Sequence, residues 1–201
     1  MNDLSDVIFV IRSVGERTEQ LCYELIKAQG VDSQNIVIVH ENPFNLALKK
    51  SYEIGIKSKK SWLFCVDADV LLKSDSIQKL MDLAQRQPKR IFEIQGYIFD
   101  KFFGCIRTGG IHLYRTKFLN SALHLLSENK VTSRPEATTL KLMQNLGYPY
   151  VIVPLVVGLH DFEQEPFDIF RTMFVYSHKH ASVLIELIDY WRKQSRNDSD
   201  F

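Results

Sequence analysis

Two aspartates, Asp67 and Asp69, stand one residue apart near the end of the apolar run WLFCVDADVLL, residues 62–72. Two like charges buried at that spacing destabilise a fold unless turn solvation, backbone donors or a divalent cation compensates them. Oxygen ligands favour Mg2+ or Mn2+, ions that usually bind through one or two carboxylates together with substrate phosphates. Polar residues stand at the ends of other apolar runs as well. Arg12 and Ser13 close VIFVIRS, and Glu41 and Asn42 follow NIVIVH. Further along come GGIHLYR with Gly109, Gly110 and His112, the segment Pro135-Glu136-Ala137, and GLHDF with His160.

The elements that must carry these residues alternate. VIFVIRS (7–13), NIVIVHE (35–41) and WLFCVDADV (62–70) are β-branched or apolar runs, as expected of strands covered on both faces. Between them the spacing predicts a helix from about Thr18 to Gly30, with Leu21, Cys22, Leu25 and Ile26 on one face. A second helix is expected over Leu46–Ser58. Asp75 and Gln78 resemble a capping box opening a third, whose apolar face is Ile77, Leu80, Met81 and Ala84. This β-α-β-α-β-α order predicts an α/β fold, a mostly parallel, Rossmann-like sheet flanked by helices on both faces. Beyond Pro88 the chain reads as strand-rich with glycine breaks. Helices over 117–127 and 137–146, a strand at 150–157 and an amphipathic C-terminal helix at about 181–196 complete it. In such sheets ligands sit at the carboxyl ends of the strands, where Arg12, Ser13, Glu41, Asp67 and Asp69 fall.

The 201 residues carry a formal charge of +1, with 24% charged and 45% apolar residues. That composition is globular, fits one domain over 1–201, and gives no global bias towards nucleic acid. Cys22, Cys65 and Cys105 are odd in number and lack a C-x-x-C pair, as expected of free thiols in a reducing compartment. Val7–Ile11 is too short for the apolar core of a secretory leader, and VIVPLVVGL (151–159) is short and broken by Pro154. The expectation is a cytoplasmic protein that works in solution or at the inner face of a membrane. Neither G-x-x-x-x-G-K-[ST] nor G-x-G-x-x-G occurs, so a P-loop or dinucleotide fingerprint does not explain the sheet.

From the residues alone, Asp67 fits equally a turn-forming acid, Glu136 an acid at a helix N-terminus, and His160 a satisfied core histidine. The order of the pieces, however, resembles GT-A-fold glycosyltransferases, closest to the inverting family 2, over roughly residues 6–165. FCVDADV matches that family's strand ending in D-x-D, GGIHLYR its glycine-led stretch, Pro135-Glu136-Ala137 its acidic motif, and GLHDF its late histidine. Two departures stand out: the paired acids after strand two are here His40-Glu41, and the Glu-Asp motif is Glu136-Ala137.

The resemblance implies a metal-dependent glycosyltransferase that moves a sugar from a nucleotide-sugar donor to a glycan or lipid-linked acceptor in cell-surface polysaccharide synthesis. Asp69 and His160 would hold the divalent cation (Mn2+ or Mg2+). Arg12, Ser13, Glu41 and Asp67 would bind the donor nucleotide, and Gly109, Gly110 and His112 the acceptor. Glu136 would be the general base. The C-terminal helix would dock to a membrane surface or a partner. Two alternatives stand beside this one: a nucleotidyltransferase acting on sugar phosphates, and a non-catalytic glycan- or partner-binding module.

Overall fold

The structure is a computed structural model that describes residues 4–128, 134–163, 165–179 and 181–197. Its strands are β1 (Val7–Arg12), β2 (Ile36–Val39), β3 (Trp62–Asp67), β4 (Val70–Leu72), β5 (Glu93–Asp100), β6 (Cys105–Arg107), β7 (Ile111–Arg115) and β8 (Tyr150–His160). The helices are α1 (Glu19–Lys27), α2 (Phe44–Ser58), α3 (Ser76–Gln85), α4 (Leu119–Glu128), α5 (Pro135–Asn145), α6 (Pro166–Lys179) and α7 (Ala181–Gln194). The strands form one sheet in the order β2-β1-β3-β7-β5-β8-β4, with β6 paired to β5. Strands β2, β1, β3, β5 and β8 run one way, and β7, β4 and β6 run against them.

The period of two along a strand sorts the core. Val7, Phe9 and Ile11 face one side and pack with Cys22 and Ile26 of α1 and Ile77, Leu80, Met81 and Ala84 of α3. Ile8 and Val10 face the other side, against Leu48 and Tyr52 of α2, Leu119 and Ala122 of α4, and Leu140 and Met143 of α5. Each large aliphatic or phenylalanine side chain among these, removed from water, contributes about 1.5–3 kcal/mol. The predicted sheet with helices on both faces is therefore what the chain builds.

Two expectations need correction. The run WLFCVDADV is not one strand: it breaks after Asp67, where its pairing partners run out, the β1 ladder ending at Arg12 opposite Asp67 and the β7 ladder at Ile111 opposite Val66. Its continuation, β4, pairs instead with β8 at the far edge of the sheet. Asp75 is also no capping box. It sits in the left-handed region (φ 60°) and its side chain makes no capping bond, whereas a capping residue needs extended backbone.

At the C-terminus α7 spends its apolar face within the chain. The Trp191 ring packs on Phe102, its Nε1 donates to the Phe102 carbonyl at 2.7 Å, and the Tyr190 hydroxyl donates to the Lys101 carbonyl at 2.9 Å. The docking face expected there thus holds the turn between β5 and β6. Among the described residues no helix is long and apolar enough to cross a membrane.

Candidate active site

The register of the sheet assembles the site. In the parallel β1–β3 pair Arg12 lies opposite Asp67, so both strands end at one crevice. The β3–β7 pairing sets Cys65 opposite His112, and the β5–β8 pairing sets Asp100 opposite His160. Strand β4 brings Val70 opposite His160, which places the residue before it, Asp69, beside that histidine.

Backbone bonds pin the turn at Asp67-Ala68-Asp69. The Asp67 amide donates to the Gly110 carbonyl at 2.8 Å and the Ala68 amide to the Arg12 carbonyl at 2.9 Å. Thr18 Oγ1 donates to the Ala68 carbonyl at 2.8 Å. Gly110 itself has φ +71°, and a Cβ there would meet Val70 Cγ2 at 2.7 Å, so only glycine fits this close approach. With the main chain fixed, the two carboxylates differ in what meets them. Asp67 Oδ1 accepts from Arg12 Nε at 2.7 Å. Burial, with Asp69 and Glu136 nearby, raises the Asp67 carboxyl above its usual range in spite of Arg12.

Asp69 belongs to a second cluster. Its Oδ2 lies 3.3 Å from His160 Nε2, and its Oδ1 is buried without a hydrogen-bond partner. His160 Nδ1 lies 3.0 Å from Asp100 Oδ2 and 2.8 Å from Asp161 Oδ2. Burial alone would lower the imidazole, but hydrogen bonds to Asp100, Asp161 and Asp69 push it up to about 12. Asp69, His160 and Asp161 each offer a ligand atom, all within 4.8 Å of one another. These residues fit a divalent cation. An unpartnered buried oxygen wants a cation, and a carboxylate on the far nitrogen of a ligating histidine is how such ligands are usually oriented. Asp161 holds its place with a left-handed backbone (φ 58°), a strained conformation that aspartate tolerates better than most residues.

Between Arg12 and the core runs a chain of alternating charges. Glu136 Oε1 accepts from Arg12 Nη1 at 2.7 Å and from the Tyr114 hydroxyl at 2.6 Å, and Glu136 Oε2 lies 2.8 Å from His112 Nε2. His112 Nδ1 lies 2.8 Å from Glu93 Oε1. Burial alone would raise Glu136, but Arg12, His112 and Tyr114 hold it far below the usual carboxylate range. His112 goes the other way. Burial would lower it, yet Glu136 and Glu93 push it up to about 9. His112 is 4% exposed with both ring nitrogens occupied, so it is not on a surface that an acceptor reaches. Its expected acceptor role is corrected by that burial.

Two adjoining cavities open here. One, of about 300 Å3, is lined by Asp69, His160, Asp161, Arg17, Arg107 and Arg171 among others. The other, also about 300 Å3, is lined by Arg12, Ser13, Glu41, Asn42, Phe44, Asp67 and Asp69, and it shares Val14, Glu16, Asp69 and Arg171 with the first. The structure therefore gathers Arg12, Ser13, Glu41, Asp67, Asp69 and His160 around one crevice and sets Gly110 in its floor. Gly109 (φ +131°) lies at the Arg107 side chain, and Glu136 sits one layer down. Sequence reading missed Asp161, Arg107, Arg17 and Arg171. Only Asp161, next to His160, carried a signal.

No family model matches the chain, and no curated protein does. Solved structures do. One is the crystal structure of a glycosyltransferase involved in the glycosylation of the major capsid of PBCV-1. It superposes with a TM-score of 0.56 at 9% identity, covering 82% of this chain and 98% of that one. The 4-diphosphocytidyl-2C-methyl-D-erythritol synthase from Anaerococcus prevotii gives 0.56 at 8% identity, over 82% and 93%. The 2-C-methyl-D-erythritol 4-phosphate cytidylyltransferase from Francisella tularensis gives 0.53 at 12%, over 84% and 99%. The chain shares its fold with both kinds of transferase. At these identities the likeness is one of fold.

Proposed function

We propose that this chain is a transferase acting on a nucleotide-sugar donor, and that it moves the glycosyl group to a glycan or lipid-linked hydroxyl acceptor. The observation that carries this reading is Asp69, whose buried, unpartnered oxygen stands beside His160 and Asp161 in a cavity also lined by three arginines. A diphosphate calls for both halves of that wall, since a divalent cation and guanidinium groups each neutralise its oxygens. The adjoining cavity, with Glu41, Asn42 and Phe44 at its rim, takes the nucleoside. When bound by Asp69, His160 and Asp161, Mn2+ or Mg2+ supplies Lewis-acid stabilisation of the departing diphosphate. Arg107 and Arg171 add fixed positive charge where the leaving group gathers negative charge.

Glu136 takes a positioning role in this reading. A general base works best with a pKa near the working pH, and a carboxylate held far below its usual range by Arg12, His112 and Tyr114 is a weak proton acceptor. Its chemistry is to hold Arg12, and through Arg12 the Asp67 carboxylate, at the donor cavity.

Nucleotidyl transfer is the second reading, favoured by the fold shared with the cytidylyltransferases. Such chemistry asks for a loop whose backbone N–H groups cradle a triphosphate. In the loop after β1 the Val14 amide donates to Glu16 Oε2 at 2.8 Å and the Gly15 amide to Ser13 Oγ at 3.0 Å, so both are already engaged. Product analysis separates the two. A panel of nucleotide sugars with Mn2+ should yield nucleoside diphosphate. Release of pyrophosphate from nucleoside triphosphate and a sugar phosphate would instead establish nucleotidyl transfer.

A further inference from the structure

A cavity of about 440 Å3 lies away from the crevice, where β3 begins and β7 ends. Its wall carries Lys59, Lys60, Lys89, Arg115 and Lys117, drawn from the end of α2, the turn before β5, the end of β7 and the turn before α4. Among the described residues no carboxylate lines it. We propose that this cavity is a binding site for a multiply charged phosphate group, separate from the nucleotide crevice.

A carboxylate nearby is that of Asp6, whose Oδ1 accepts from the Ser61 amide at 2.9 Å, and the contacts of the cations themselves are to other groups. Lys60 Nζ donates to the Ser5 carbonyl, and Lys117 Nζ lies 4.5 Å over the Phe118 ring. Arg115 donates from Nη2 to the carbonyls of Ala84 and Gln87, both at 3.2 Å, and its guanidinium stacks 4.3 Å over Trp62. All these partners are neutral. The chain as a whole is nearly balanced at +1, so five cations around one concavity are a local excess that focuses potential into it. The end of α2 explains a preference for cations at Lys59 and Lys60 only, because a helix C-terminus attracts positive charge within its last turn. Lys89, Arg115 and Lys117 come from other elements.

The shape selects the ligand class. The concavity suits a compact anion, whereas a bilayer surface calls for cations spread over a plane. Lysines bind phosphate as point charges, and Arg115, held in place by Trp62 and two carbonyls, adds a fixed positive charge to the wall. Ser61 and Asn120 line the same wall and contribute neutral hydrogen-bonding groups. A free polyphosphate and a lipid headgroup present the same phosphate chemistry, and vesicle cosedimentation separates the two sources.

The test is a calorimetric titration of the full chain with inorganic tripolyphosphate in buffer containing EDTA, which leaves the acidic crevice without a divalent cation. Wild type should bind one equivalent, and Lys89→Glu/Lys117→Glu, two exchanges at the cavity wall, should weaken binding at least tenfold. Arg171→Glu, in the crevice, should leave it unchanged. Cosedimentation with phosphatidylcholine vesicles containing phosphatidic acid, if the same double exchange abolishes it, would assign the phosphates to a headgroup; its absence would assign them to a soluble ligand. Wild-type affinity in the double variant, or loss of binding in Arg171→Glu alone, would overturn the site. So would the absence of tripolyphosphate binding by the wild type.

Discussion

Asp69 and His160 are 91 positions apart in the chain, yet their side chains come within 3.3 Å, Oδ2 to Nε2. Nothing local brings them together. Strand β4 carries Asp69 to the far edge of the sheet, where pairing with the end of β8 places Val70 opposite His160.

Asp161 should join them in holding a cation. Asp161→Asn should keep the fold, because asparagine also tolerates the left-handed backbone found there (φ 58°). It should nevertheless lower Mn2+ affinity roughly tenfold or more, as seen for losses around metal sites. Calorimetry with Mn2+ alone decides this, and wild-type affinity would remove Asp161 from the ligand set.

Glu136→Gln separates a base from an anchor. If Glu136 were the base, the variant would stay stable and lose two or more orders of magnitude in turnover. As the partner of buried Arg12 and His112, it should instead cost stability on the order of 3–5 kcal/mol, because cations are left uncompensated. Urea unfolding measures that difference: an unchanged midpoint would contradict the anchoring role, and an unchanged midpoint together with the loss of turnover would return Glu136 to the base role.

His112 gives a pH dependence with a definite sign. The groups facing it are Glu93 from β5 and Glu136 from α5. Its folded pKa, about 9, lies above the unfolded value near 6.5, so the imidazolium contributes stability that is fully present below about 6.5. That contribution should be lost as pH rises through about 9. Thermal melts from pH 6 to 9.5 should show this decline, and His112→Gln should be less stable at pH 6 and flatter across the range. A wild-type profile flat over that range would contradict a charged His112.

Gly104 tests the coupling between α7 and the crevice. Its φ is +63°, and a Cβ there would meet the Tyr190 ring at 2.5 Å. The turn it belongs to follows Asp100, whose Oδ2 lies at hydrogen-bonding distance from both Arg107 and His160. Gly104→Ala should cost roughly 1–3 kcal/mol from backbone strain and overpacking. It should also weaken nucleoside diphosphate binding several-fold as Arg107 shifts. Normal binding in a destabilised variant would show that α7 does not set the crevice.

Much of the frame could be read from the sequence because it rests on local periodicity. The β-branched runs gave β1, β2 and β3, and Ile77, Leu80, Met81 and Ala84 gave the buried face of α3. The break between β3 and β4 was hidden, since apolar residues flank the two aspartates on both sides in WLFCVDADV and only the ends of the β1 and β7 ladders mark where the strand stops. Helix α6 (PFDIFRTMFVYSHK) was not anticipated. Its Phe167, Phe170 and Phe174 have the i, i+3, i+7 spacing of one helical face, yet that face stays exposed in the structure. The D-x-D, Arg12 and Glu41 could be placed because strand ends define a ligand crevice, and His160 only through the resemblance of GLHDF to a family motif. The partners of Glu136 could not: Arg12 is 124 positions away, and Tyr114 and His112 meet it only through the β3–β7 register. Charged residues such as Arg17, in a loop, and Arg107, at the end of the short strand β6, look the same in sequence whether they face solvent or a ligand.

The most direct measurement is calorimetry of nucleoside diphosphates with and without Mn2+, on wild type and on Asp69→Asn. Asparagine keeps the shape of the side chain, so the fold should survive, which circular dichroism checks. Wild type should bind at least one nucleoside diphosphate, at least tenfold more tightly with Mn2+ than without it. Asp69→Asn should lose that metal-dependent gain. A variant that keeps the wild-type metal dependence, or a wild type that binds no nucleoside diphosphate in either condition, would contradict a nucleotide-sugar site built on Asp69.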